Sequence, residues 1–393
     1  MNPRTKATNY PQKFVYFIFA ITLTIYCFSV NASQKIADES KGRYFNLGDK
    51  VIPYKTETLA SALNFPWSVA FLPDGKILIS EKSGQLKLLA QGKVSEPLTG
   101  LPDVFFKSQG GLFDVILDPD FNNNQFIYFS YASGNMAANA THVASAKLAD
   151  NQLTLVKTIF KVTPEKNTPV HYGGKLLMMP DGTILLTTGD GFDYREKAQH
   201  PKGLLGKIVR FNRDGSIPTN NPFYNSKEYH PAIYSLGHRN PQGIDYDYQN
   251  KQVIMHEHGP AGGDEINIIR PGKNYGWPIV TYGKDYSGAT VSPFTSYKGL
   301  EEPLLHWTPS IAPSGLAIYK GELFSEIEGS YLVGALAGRE LRLVVMQQQK
   351  VIEQLSLLKE ESARIRDVRV GPDGAIYVLT DGEKGQLIRI TRN

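Results

Sequence analysis

The chain has 393 residues, with 42 Lys and Arg against 38 Asp and Glu and a formal net charge of +4. Its basic residues are scattered rather than clustered, so it offers no nucleic-acid surface. The one cysteine, Cys27, leaves everything beyond it without thiol catalysis, disulfide staples or cysteine-ligated metals.

Arg4, Lys6 and Lys13 make a basic start, Phe14 to Val30 is an apolar run without a charge, and Val30-Asn31-Ala32 closes it with small residues. This pattern predicts a secretory signal peptide over residues 1–32 and a periplasmic or secreted protein. The alternative is a retained anchor, because the run is about as long as the shortest membrane-spanning helices. No lipobox precedes Cys27. After cleavage no stable membrane insertion is expected. Residues 33–54 read as a lead-in and 55–393 as one domain.

That domain repeats. Pro73-Asp74-Gly75 is flanked by apolar strands, and the same arrangement recurs at Pro180-Asp181-Gly182 and Pro372-Asp373-Gly374. Proline sets φ at the first turn position and glycine supplies positive φ later, so each is a hairpin signal. Weaker copies fill the gaps at Val115–Ser130, Gly243–Glu257 and Gly315–Val333. Six hairpins without a linker, and few helix patterns, predict an all-β, six-bladed β-propeller of four-stranded antiparallel blades. A β-sandwich or several small β domains is the competing architecture. The stretch from Arg195 to Asn225 reads as a long insertion between blades.

Polar clusters lie between the hairpins, where strands approach the axis, and they place the site at one mouth of the channel. Gln109 precedes Gly110-Gly111 and offers a donor and an acceptor, although a plain glycine turn is the simpler reading. His171 stands beside Gly173-Gly174 and is a candidate general base, or a structural histidine. Asp190, in Gly189-Asp190-Gly191, is a candidate orienter for it, or an ordinary turn residue. Arg239, Asn240 and Gln242 suit a multiply acidic planar ligand, or a polar turn.

The run from His256 to Asn267 mixes Glu257, Asp264 and Glu265 with Gly259-Pro260, which suits a hard cation such as Ca²⁺. His256 and His258 on one strand face leave zinc as the alternative, and a metal-free loop as the third. Trp277, in Asn274-Tyr275-Gly276-Trp277-Pro278, reads as core or as a stacking wall. Arg364 and Arg366 share a strand face and call for anionic oxygens.

Gln109-Gly110-Gly111, His238 to Gly243, Gly263 to Asn267, Asn274 to Pro278 and Arg364-Ile365-Arg366-Asp367 occur in this order in one family. Over about residues 55–393 the chain resembles the soluble pyrroloquinoline-quinone (PQQ) glucose/sorbosone dehydrogenases, and within them the bacterial aldose sugar dehydrogenases. The resemblance implies PQQ and Ca²⁺ as cofactors, an aldose substrate oxidised to a lactone, and an external electron acceptor such as a quinone or cytochrome. It implies His171 as catalytic base with Asp190 as its partner. Gln109, Arg239, Asn240, Gln242, Arg364 and Arg366 would line the cofactor pocket, with Tyr286 and Ala337-Gly338 closing over its edge. Carbonyls of Gly259 and Pro260 would hold the calcium on PQQ, and Glu265 with the Tyr275 carbonyl a second, structural calcium.

The glucose enzymes place a lysine near PQQ where this chain reads Ala335 to Arg339, which favours the aldose branch. Several loops are shorter than in the glucose enzymes, implying an open cleft and a monomer or dimer. Two other classes compete: a calcium-dependent propeller lactonase or esterase, and a non-enzymatic sugar-binding propeller.

Overall fold

A computed structural model describes residues 42–393. The predicted signal segment and the start of the lead-in lie outside the described residues. The chain divides into two units, one ending at Tyr54 and one running from Lys55 to Asn393. In the first, β1 (Arg43–Leu47) pairs antiparallel with the start of β2 (Lys50–Leu63), Leu47 lying opposite Lys50 across a turn in which Gly48 takes a positive φ.

The second unit is a six-bladed propeller of antiparallel sheets. The first blade is β3 (Pro66–Phe71), β4 (Ile77–Glu81), β5 (Gln85–Ala90) and β6 (Lys93–Val94). The second is β7 (Leu112–Leu117), β8 (Phe126–Gly134), β9 (Asn139–Ala149) and β10 (Gln152–Lys161). The third is β11 (Leu176–Met178), β12 (Ile184–Thr187), β13 (Lys207–Phe211) and β14 (Ile233–Leu236). The fourth is β15 (Pro241–Asp247), β16 (Gln252–Glu257), β17 (Asp264–Ile269) and β18 (Leu305–Trp307). The fifth is β19 (Pro313–Ile318), β20 (Tyr331–Ala335), β21 (Glu340–Gln347) and β22 (Lys350–Leu357). The sixth joins β23 (Ile365–Val370), β24 (Ile376–Thr380) and β25 (Gly385–Arg392) to β2 as its fourth strand, and pairing of β2 with β1 makes this sheet five-stranded.

The first strands, β3, β7, β11, β15, β19 and β23, pack each against the next in a closed ring. All six hairpins expected from the sequence are the inner strand pairs of the six blades. One expectation fails: Arg195 to Asn225 is not an insertion between blades, because it contains β13, the third strand of its own blade. Its Lys207-Ile-Val-Arg-Phe run is short, and the polar stretches around it hid it.

The three Pro-Asp-Gly turns are built alike. Gly75, Gly182 and Gly374 have φ of 83°, 80° and 75°. In each, the aspartate accepts from the backbone N–H two residues on: Asp74 from Lys76, Asp181 from Thr183 and Asp373 from Ala375.

Blades pack face to face, so both faces of an inner strand are buried and its sequence is apolar without alternation. In β4, Leu78 joins the core shared with Ile127 and Phe129 of the second blade, while Ile77 and Ile79 join Leu379 and Leu387 of the sixth.

The channel itself is charged and balanced. Lys175 Nζ lies 2.7 Å from Asp367 Oδ1, and Arg369 bridges Asp367 at 2.9 Å and Asp114 at 2.6 Å. Asp114 also accepts from the N–H of Leu176 in the next blade. Removing one partner strands a buried charge. Asp114→Ala is expected to lower stability by about 3–5 kcal/mol, read as a drop in the urea midpoint; an unchanged midpoint would show that the network carries no stability.

Candidate active site

Every inner strand starts, and every second strand ends, at the same end of the propeller. The segments there converge on one mouth. Gly189, in the loop after β12, has no room for a Cβ, which would collide with the His171 carbonyl. That close approach brings the loop carrying Asp190 against the segment carrying His171.

His171 is buried and has a φ of 50°, a left-handed conformation uncommon for a residue with a side chain. Its backbone N–H donates to Gln109 Oε1 at 2.8 Å, reaching in from the second blade. Its ring Nδ1–H donates to Asp190 Oδ1 at 2.7 Å. This fixes the tautomer with the lone pair on Nε2, which has no hydrogen-bond partner among the described residues. Burial holds the imidazole below its ordinary pKa; Asp190 pulls it up, and Arg239 and Lys166 push it down. The ring is therefore neutral at neutral pH and fit to accept a proton.

Asp190 is itself fully engaged. Oδ1 also accepts from the Phe192 N–H, and Oδ2 accepts from the Trp277 indole N–H at 2.8 Å. Trp277 is thus neither plain core nor a bare wall, but the third member of the chain His171–Asp190–Trp277. Phe192 sets its ring edge-on to His171 at 5.1 Å and stacks with Tyr286, which is 64% exposed. Phe192 belongs to none of the sequence motifs; its only signal there is an aromatic two residues after Asp190.

Beside this dyad lies a cavity of about 280 Å³ lined by Lys82, Gln109, Asn240, Gln242, Arg364, Arg366 and Asp381 over an aromatic floor of Trp67, Phe113 and Tyr172. Gln242 donates to the Gly173 carbonyl, and Asn240 accepts from the Gly173 N–H, so both brace the entrance to β11. Arg364 and Arg366 share Asp381, at 3.0 and 3.4 Å. Although burial opposes it, the two arginines hold the Asp381 carboxyl below its ordinary value. Three cations face one carboxylate, an imbalance that suits a planar, multiply anionic ligand. Ala337 and Gly338 donate backbone N–H groups to the Ile311 carbonyl, and Arg364 reaches the adjoining Leu336 carbonyl.

Arg239 lies elsewhere. It donates to the carbonyls of Gly259 at 2.6 Å and His258 at 3.2 Å, and packs over Trp277 and Tyr286. Gly259 admits no Cβ, which would strike the Gly262 and Gly263 carbonyls. The Gly259 carbonyl therefore already faces a cation, and an ion bound there would replace Arg239. His256 and His258 do not form a zinc pair. Each donates through Nε2 to a carbonyl of the fifth blade, Gly315 and Pro313 respectively.

Glu257 and Glu265 line a separate cavity of about 10 Å³ with Tyr275, room for one water-sized occupant. Burial, then Glu257, push Glu265 up to about 8. Buried paired carboxylates of this kind suit a cation. Among the described residues no three His, Cys, Asp or Glu side chains form a ligand set, so a hard ion here would rely on carbonyl oxygens. Asp264 instead organises the mouth, accepting from Gly259, Ser310, Ile311 and Ala312.

The family model for glucose/sorbosone dehydrogenases matches residues 63–389. The aldose sugar dehydrogenase YliI of Escherichia coli strain K12 is 39% identical, over 85% of this chain and 92% of that one. The crystal structure of the soluble aldose sugar dehydrogenase of Escherichia coli in its apo form superposes with a TM-score of 0.84, at 38% identity, over 86% of this chain and all of that one. The PQQ-bound form of the aldose sugar dehydrogenase of Streptomyces coelicolor superposes with a TM-score of 0.69, at 26% identity, over 86% of this chain and 98% of that one.

The His171 ring is expected to titrate below the ordinary histidine value, and Asp190→Asn to lower it further, since the carboxylate is the main influence raising it. Ring-nitrogen NMR across pH reads this directly; a His171 that titrates at or above the ordinary value would contradict the arrangement.

Proposed function

The chain belongs to the glucose/sorbosone dehydrogenase family, and on that footing we propose that it is a quinoprotein that oxidises aldose sugars at the anomeric carbon to lactones. The observation that carries this reading is the neutral His171, held through Nδ1 by Asp190 with Nε2 unpartnered, at the edge of a pocket with excess positive charge.

The pocket fits PQQ, which brings three carboxylates on a planar ring system. Arg364, Arg366, Gln109, Asn240 and Gln242 would hold it over the aromatic floor. The Gly259 and Pro260 carbonyls would hold its calcium, with Arg239 displaced from Gly259, and Glu265 with the Tyr275 carbonyl would take a second ion. When bound, PQQ supplies a two-electron acceptor for hydride, and calcium polarises the accepting carbonyl.

The protein's own part is proton transfer. Nε2 of His171 takes the proton of the anomeric hydroxyl, and Asp190 stabilises the imidazolium that forms. Trp277 keeps Asp190 oriented. Loss of that proton from the hydroxyl oxygen and of hydride from the anomeric carbon leaves the carbonyl of a lactone. Phe192 and Tyr286 offer the sugar ring an apolar wall. A hydrolase using calcium alone would leave the pocket's excess positive charge without a counterpart.

The amino-terminal pattern supports export to the periplasm, where an external quinone or cytochrome would reoxidise the cofactor. Among the described residues no helix is long and apolar enough to cross a membrane.

Apo-protein given PQQ and Ca²⁺ is expected to acquire dye-linked oxidation of aldoses, and no activity with any aldose would refute the assignment. His171→Ala should lower kcat by about 10²–10⁴-fold while PQQ still binds, read by stopped-flow reduction against a binding titration. Retained turnover would place the base elsewhere.

A further inference from the structure

Lys82 is absent from the motifs legible in the sequence, yet it lines the same cavity as Arg364 and Arg366. It follows β4 of the first blade, while the arginines stand at the start of β23 in the sixth, whose inner strand packs beside β3. Its Nζ donates to the Ser108 carbonyl at 2.9 Å and to nothing else among the described residues. Two of its three donors are thus unspent. It has no carboxylate within ion-pair distance, because the cavity's one acid, Asp381, is taken by the two arginines.

The ammonium lies 5.7 Å from the Phe65 ring and 5.9 Å from that of Phe106, which confine it. Burial, then Arg366, hold it below its ordinary pKa, with Arg364 adding to the effect and Asp381 opposing it. A half-buried lysine crowded by two cations and given no acid of its own is costly, and a ligand's negative charge would offset that cost.

We infer that Lys82 is a cofactor-binding residue that holds a carboxylate of PQQ as the third cation of the pocket, opposite in chain order to Arg364 and Arg366. The inference rests on the quinoprotein reading. It separates the three pocket cations into two groups on adjacent blades, suited to a ligand with more than one carboxylate.

The test titrates wild type, Lys82→Gln and Lys82→Arg with PQQ in the presence of Ca²⁺, following tryptophan fluorescence, and repeats it with PQQ trimethyl ester. Lys82→Gln is expected to weaken PQQ roughly 10- to 100-fold, to leave the ester nearly unaffected, and to be largely rescued by Lys82→Arg. Equal PQQ affinity in wild type and Lys82→Gln would overturn the inference and leave the quinoprotein reading intact. No binding of PQQ to wild type would overturn that reading itself. Should Lys82→Gln fail to fold, labelling of the wild-type protein with an acetylating reagent decides: PQQ should protect Lys82, and undiminished labelling would overturn the assignment.

Discussion

An innermost propeller strand has a hydrogen-bonding partner on one side only. Its other edge faces the next blade and the axis, and unpaired backbone groups there would be costly. This chain satisfies them with side chains. Ser68 Oγ takes the Val115 N–H of the second blade, Asp114 takes Leu176 of the third, and Asp245 takes Ile318 of the fifth. In the reverse direction Ser80 donates to the Phe113 carbonyl, Thr187 to Pro241 and Ser314 to Ile365. The polar residues inside the ring are therefore mostly seam fasteners. They also fix where each inner strand begins, and those beginnings carry His171, Asn240 and Arg364.

The charges of this molecule fall into two groups that behave differently. In the channel, Asp114, Lys175, Asp367 and Arg369 balance within one network, so they hold blades together and ask for nothing further. At the mouth, Lys82, Arg364 and Arg366 outnumber Asp381. The same residue types hold blades together in one place and leave positive charge in excess at the other, more open one, and the difference lies in whether the charges cancel.

This difference also explains what the sequence could disclose. The hairpins were legible because Pro-Asp-Gly turns and doubly buried strands leave local signatures, as around Ile77–Ser80. β13 was not, because a short strand between polar loops has no such signature. His171 and Asp190 were visible as polar residues beside glycines. Trp277 was visible too, but its bond to Asp190 was not, since a hydrogen bond across two blades has no spacing in the sequence. Lys82 was missed for the same reason: Glu81-Lys82-Ser83-Gly84 reads as an ordinary solvated turn, and only the ring closure sets it next to Arg366. The histidine pair at His256 and His258 left zinc open as an alternative, and the structure closes it, because both rings serve the seam with the fifth blade.

The sixth blade takes three strands from the far end of the chain and its fourth from β2, whose residues beyond Tyr54 are the first of the propeller. A chain emerging amino terminus first therefore cannot complete the ring until its last residues are out. Arg364, Arg366 and Asp381 sit in that final blade. Assembly order thus acts as a checkpoint: the paired arginines of the mouth are brought beside Lys82 only when the sixth blade closes the ring. A chain truncated before Arg364 would forfeit the mouth's paired arginines as well as closure.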